Sequence, residues 1–214
     1  MWALQDARLA DGSVVDILIE GKLIGAVRPG ASGEAGEVVD CRGQLVLPTF
    51  IDAHVHLDKV LIRDELREHD GTLAGAIAAT HERKRRYTVE DVRARARAVI
   101  EESVRLGTTR LRSHVDVDTI GGLTPLEGVM AAAADCADIA EVQTIAFPQE
   151  GLLRDRGAHE LMATALELGA DVVGGMPHWE LDQHAQREHV RLCFDLAERF
   201  DRDIDMHVDE TDDG

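Results

Sequence analysis

Two histidines one residue apart, His54 and His56, close the apolar stretch Leu45-Val46-Leu47-Pro48-Thr49-Phe50-Ile51-Asp52-Ala53. Side chains alternate faces along a strand, so residues i and i+2 project the same way and two such imidazoles can share one metal ion. A third imidazole, His207, sits in Ile204-Asp205-Met206-His207-Val208-Asp209-Glu210, with the Glu210 carboxylate three residues beyond it. Three imidazoles and a free carboxylate suit a hydrolytic metal centre, in which the ion activates water and the carboxylate moves protons. Glu210, at the exit of its strand, is placed to reach over the metal and pass a proton to a leaving nitrogen. The competing reading, two strand histidines bonded internally, buries two close imidazoles without a ligand, which is costly.

Other polar residues also fall at the ends of apolar runs. Gln149, in Phe147-Pro148-Gln149-Glu150-Gly151, could hold the amide edge of a substrate or simply stabilise its loop. His114, in Ser113-His114-Val115-Asp116, and His178, in Pro177-His178-Trp179, could support metal ligands from behind or pack into the interior. The run Arg83-Lys84-Arg85-Arg86 reads as a solvated helix end, where cations suit the helix dipole. The sequence lacks HExxH, a P-loop, GxGxxG and the H-x-E…P-C-x-x-C deaminase signature.

The elements that must position these residues come in two regions. Residues 1–45 read as short strands and turns: Val14–Ile19 and Leu23–Val27 form a hairpin around Glu20-Gly21-Lys22, a loop spans 29–36, and Val38–Cys41 and Leu45–Leu47 are further extended pieces. Residues 46–214 alternate strand and helix. The apolar runs end near His56, Asp116, Gln149, His178 and Glu210, at separations of 60, 33, 29 and 32 residues. Thr88, with Asp91 three residues on, predicts a capped helix start, followed by the stripe Val92, Ala96, Val99, Ile100 and Val104 and a stop at Gly107. Thr124-Pro125 opens another helix, with Leu126, Val129, Met130 and Ala133 facing inward. Leu161, Ala165 and Leu168, stopped by Gly169, mark a third, and Val190, Phe194 and Ala197 a fourth. Five strand–helix units predict an α/β fold with a parallel sheet, whose ligands gather at the carboxyl ends of the strands.

Composition narrows the function classes. A formal net charge of −18 disfavours nucleic acid or an anionic membrane as the main partner. Three scattered cysteines without a CxxC pair, no basic-then-apolar leader and no run of ~20 apolar residues predict a cytoplasmic protein.

The segments His54-Val55-His56-Leu57-Asp58, Gly71-Thr72-Leu73, Ser113-His114-Val115-Asp116-Val117, Ala146-Phe147-Pro148-Gln149-Glu150-Gly151, Leu168–Gly174 and Asp205–Glu210 together resemble the N-terminal half of the amidohydrolase superfamily, within it the cytosine deaminase group. The resemblance covers residues 40–213. It implies an incomplete TIM (β/α)8-type barrel of about five βα units, preceded by part of a small β-sandwich. It implies metal ligation by His54, His56 and His207, Glu210 as proton shuttle, Gln149 against a pyrimidine-like ring, and Leu73 and Phe147 as pocket walls. Pro177-His178 ends the fourth strand without a lysine, so the resemblance implies a single divalent ion, iron or zinc, and no lysine-bridged pair. The implied enzyme is a hydrolase of carbon–nitrogen bonds other than peptide bonds, acting on cytosine or a related cyclic amidine with water, and a homo-oligomer at full length. Alternatives are another heterocycle, such as an N-alkylamino triazine, and a non-catalytic half-barrel that binds a partner. A closed barrel takes ~250 residues, and about 170 follow Leu45. The expectation is therefore a piece of a longer protein, inactive and aggregation-prone alone.

Overall fold

The computed structural model describes residues 1–66 and 72–209, the Leu73 side chain excepted; Glu210 thus lies outside the described residues. The chain divides into two compact units, the first Met1–Thr49 and the second starting at Phe50.

In the first unit β1 (Trp2–Arg8), β2 (Val14–Glu20), β3 (Leu23–Arg28) and β4 (Glu37–Asp40) form one sheet in the order β3-β2-β1-β4. The β2–β3 hairpin lies where the turn residues place it. β1 has no clean alternation in sequence because its register shifts between Leu4 and Ala7, where Asp6 takes a positive φ of 51°. The buried Asp16 carboxylate explains how the 29–36 loop is held. It accepts from Ser32 N (3.0 Å), Ser32 Oγ (2.6 Å) and Asp6 N (3.1 Å), fixing a 3-10 turn at Ala31–Glu34. The extended piece expected at Leu45–Leu47 reduces to one bridge, Arg8 to Leu45.

The second unit is built on five parallel strands in sequential order: β5 (Phe50–Val55), β6 (Thr108–Asp116), β7 (Glu141–Phe147), β8 (Val172–Gly175) and β9 (Asp203–Met206). The 60-residue separation between the first two strand ends is accounted for by two helices, α1 (Leu73–Lys84) and α2 (Val89–Arg105). α3 (Thr124–Asp135), α4 (Ala158–Leu168) and α5 (Gln183–Phe200) make the later crossovers. One face of the sheet gives Val55, Leu111, Val115, Ala146, Val173, Ile204 and Met206 to a core shared with the helices. Alternation puts Arg112, His114, Asp116, Phe147 and Asp205 on the other face. That inner face is strongly curled. Neighbouring strands are ~4.8 Å apart, yet Arg112 on β6 reaches Asp205 on β9, three strands away, at 2.8 Å. The fold is an α/β half-barrel with a small sheet before it, an incomplete TIM-type barrel.

Helix punctuation follows the expected chemistry with two corrections. Thr88 Oγ1 accepts from Asp91 N at 3.1 Å, but the Asp91 side chain does not complete a capping box; it pairs with Arg83 and Arg95. On α4 and α5 the expected Ala165 and Ala197 are buried, but the rest of each stripe is displaced. Met162, Ala165 and Leu166 are buried on α4, and His189, Cys193, Leu196 and Ala197 on α5, leaving Phe194 59 % exposed. Among the described residues no helix is long and apolar enough to cross a membrane.

Candidate metal centre and adjoining cavity

His54 belongs to β5 and His56 follows it directly; His207 follows β9 directly. Parallel pairing sets the third imidazole: Gly175 is in register with Met206, and His207 N donates to Gly175 O at 2.9 Å. The curl then brings the two outer strands together. One ligand atom from each of His54, His56 and His207 lies within 4.8 Å of the others. The His54 ring is 5.3 Å from His56 and 4.8 Å from His207 between centroids.

Three features make this set fit a divalent ion. All three donors are imidazole nitrogens, the common ligands of zinc and iron. His56 Nδ1 is buried and has no hydrogen-bond partner among the described residues, a group that otherwise costs desolvation free energy. Burial, helped by the Lys59 ammonium and against the pull of Asp116, pushes the His56 pKa down to about 3, so its lone pair is free at neutral pH.

His114 lies behind this set. Its ring stacks on His54 with centroids 4.2 Å apart, and its Nε2 is 3.2 Å from Asp205 Oδ1, which Arg112 also holds. Burial lowers its pKa to about 4, although Asp205 pulls the other way. Phe147 is fully buried, its ring 4.5 Å from that of His207 and 5.9 Å from that of His56.

A cavity of about 530 Å³ is lined by Gln149, Lys59, Asp116, His81, Met176 and Trp179 among others; none of His54, His56, His207 or Phe147 lines it, and its link to them is through Lys59 and Asp116, whose charges act on His56. His178, expected at a strand end, instead sits in a 3-10 turn, Pro177–Trp179, and also lines the cavity. Leu73 begins α1.

The cavity floor holds charges that the sequence reading did not assign. Lys84 Nζ donates to Asp116 Oδ2 (2.5 Å) and Asp118 Oδ2 (2.6 Å), while Lys59 Nζ donates to Asp116 Oδ1 (2.7 Å) and Gln149 Oε1 (3.3 Å). Burial alone would lower the Lys84 pKa, but the two carboxylates hold it above its ordinary value. Burial would raise Asp116, but the two ammonium groups hold it below the usual carboxylate range. Asp58, also fully buried, is pushed up to about 6 by burial and then by Asp116. The expected solvated helix end at Arg83–Arg86 is thus half wrong: the Arg83 and Lys84 side chains are 7 % and 1 % exposed. The only available signal was the doubled acid Asp116-Val117-Asp118 at a strand end, which needs cations if buried.

Comparison with known proteins gives a consistent answer. Residues 45–214 match the model of the amidohydrolase family. Over 209 residues the chain is 31 % identical to N-isopropylammelide isopropyl amidohydrolase of a Pseudomonas species, covering 92 % of this chain and 50 % of that protein. The structure of 5-methylcytosine deaminase from Klebsiella pneumoniae, liganded with 5-fluorocytosine, superposes with a TM-score of 0.89 at 36 % identity, covering 99 % of this chain and 52 % of that one. N-isopropylammelide isopropylaminohydrolase from Burkholderia multivorans gives 0.85 at 31 % identity, over 98 % and 53 %. The chain spans about half the length of these relatives.

Proposed function

The chain belongs to the amidohydrolase family, and from that premise we propose that it supplies the metal-binding half of an enzyme that hydrolytically removes an amino group from cytosine or a related cyclic amidine. The observation that carries this reading is the convergence of His54, His56 and His207, with Lys59 and Asp116, whose charges act on His56, lining a cavity together with Gln149.

The three imidazoles would hold one divalent ion, iron or zinc. When bound, such an ion supplies Lewis acidity, making water a competent nucleophile at neutral pH. The chain's own groups do the rest. Phe147 walls the inner side and, with Leu73 at the start of α1, confines a flat ring. Gln149 engages the polar edge of that ring. Glu210 accepts the proton from water and returns it to the departing nitrogen, so that ammonia leaves as a neutral molecule. The free thiols of Cys41, Cys136 and Cys193 support a reducing, cytoplasmic setting.

A second reading changes only the leaving group. The 31 % identity to N-isopropylammelide isopropyl amidohydrolase supports an N-alkylamino triazine as substrate, with an alkylamine released. The full-length protein, reloaded with iron or zinc, should be offered cytosine, 5-methylcytosine and N-isopropylammelide, with ammonia and isopropylamine measured separately. Release of one amine, abolished by a chelator, identifies the reaction. A metal-loaded protein that releases neither would remove both readings.

A further inference from the structure

The groups that link the buried charges to the cavity form a single chain of contacts. Asp118 and Asp116 grip Lys84; Asp116, through its other oxygen, grips Lys59; and Lys59 donates to Gln149 Oε1. Every group but the last is charged, and Lys84, Asp116 and Asp118 are almost wholly buried. Such an assembly is expensive to desolvate and is weak evidence for stability by itself, so its outlet matters. That outlet is the glutamine amide in the cavity wall.

The amide cannot be turned round beside this lysine. An ammonium has three donors and no acceptor, so only the carbonyl end of Gln149 can face Lys59. Lys59 is itself fixed, because Asp116 takes one of its N–H groups and Asp116 is in turn held by Lys84. Gln149 Nε2 has no hydrogen-bond partner among the described residues and is not closed off from solvent. The amide therefore offers its N–H2 to the cavity.

We propose that Lys59 is a positioning residue for Gln149: the buried chain Asp118–Lys84–Asp116–Lys59 locks the Gln149 amide so that it meets the ring as a hydrogen-bond donor. The inference rests on Gln149 being a ring contact and goes beyond it by assigning the amide's orientation, its cause and its consequence. Gln149 should select rings that present an acceptor oxygen or unprotonated nitrogen at that edge. Without Lys59 nothing holds the amide in the donor orientation.

A double-mutant cycle in the full-length protein tests this, because it isolates an effect of one residue exerted through another. Calorimetric binding of cytosine and of N-isopropylammelide is compared for wild type, Lys59→Met, Gln149→Ala and the double variant, with thermal melts confirming that each is folded. Losing the oriented donor is expected to weaken binding of the better ligand by roughly 10–100-fold in Lys59→Met. Little further loss is expected when Gln149 is already alanine. Lys59→Arg, which keeps a donor, should recover part of the loss, a rescue that a merely structural role of the charge would not couple to Gln149. Additive losses in the double variant, undiminished binding by Lys59→Met, or a wild type that binds neither ring would each overturn the proposal. Amine release is recorded in parallel: tight binding without release defeats the proposed reaction but leaves the cycle to judge the role of Lys59.

Discussion

The Lys84 ammonium lies 2.5 Å from Asp116 Oδ2, and both side chains are only 1 % exposed. Removing one partner of such a pair leaves an uncompensated buried charge, at a cost of about 3–5 kcal/mol. Lys84→Met should therefore lower the unfolding free energy by about that amount in urea titrations. Arg93, whose guanidinium pairs with Asp135 at 2.6 Å through Nε and Nη2, is half exposed. An exposed pair contributes about 0–1 kcal/mol, so Arg93→Ala should cost little. Equal losses from the two substitutions would mean that burial of Lys84 does not govern its contribution.

That contrast also marks where the sequence could be read and where it could not. Strand ends were legible because an apolar run stopped by His56, Asp116 or Gln149 has one physical interpretation in a parallel sheet. Which face of α5 turns inward was not. The spacing of Val190, Phe194 and Ala197 made a plausible apolar stripe, of which Ala197 is buried, but His189 turns inward in place of Val190 because it bonds Glu180 at 2.7 Å and Met176 N at 3.0 Å. Partners 9 and 13 residues away leave no periodic trace. The same holds for Lys84. Within a run of four cations nothing local distinguishes the one that reaches Asp116, 32 residues on. The histidine pair was legible for the opposite reason, since the spacing i, i+2 is itself the geometry.

The contact between α2 and α3 depends on the absence of a side chain. A Cβ placed on Gly128 would lie 2.5 Å from Val92 Cβ and 3.0 Å from Val89 O. Overpacking of this kind costs about 1–3 kcal/mol, so Gly128→Ala should lower the denaturation midpoint despite alanine's better helix propensity. Adding Val92→Ala in the same chain should not restore it, because alanine keeps the Cβ at 2.5 Å. If Gly128→Ala is as stable as wild type, the close approach of the two helices is not a constraint.

Metal content should separate ligands from their neighbours. His54, His56 and His207 converge, whereas His114 Nε2 is committed to Asp205. Full-length protein dialysed against limiting zinc should retain about one ion per chain. Alanine at His54, His56 or His207 should abolish retention. His114→Gln should weaken it by roughly 10–100-fold, the range typical of groups that orient a ligand from outside. Retention by His207→Ala equal to wild type would exclude that residue from the site, whatever the activity measurements show.

The His189–Glu180 pair sets a pH dependence whose sign can be derived. Both groups are buried, and Glu180 also receives the amides of Leu152 (2.6 Å), Leu153 (3.1 Å) and Arg154 (2.9 Å). Met176 N donates to His189 Nε2, so the ring is neutral with its proton on Nδ1, facing Glu180. Burial lowers the His189 pKa below the ordinary 6.5, although Glu180 pulls upward. In the unfolded chain the ring takes up a proton near pH 6.5 that the folded chain refuses until lower pH. Below that value the unfolded state binds more protons, and stability falls as the pH falls, by up to about 1.4 kcal/mol per unit for one group. His189→Gln can keep both hydrogen bonds but cannot titrate. It should be less stable than wild type at pH 8, and the difference between the two should narrow by pH 5.5. A difference in unfolding free energy that is constant or widens over that range would show that His189 does not remain neutral in the folded protein.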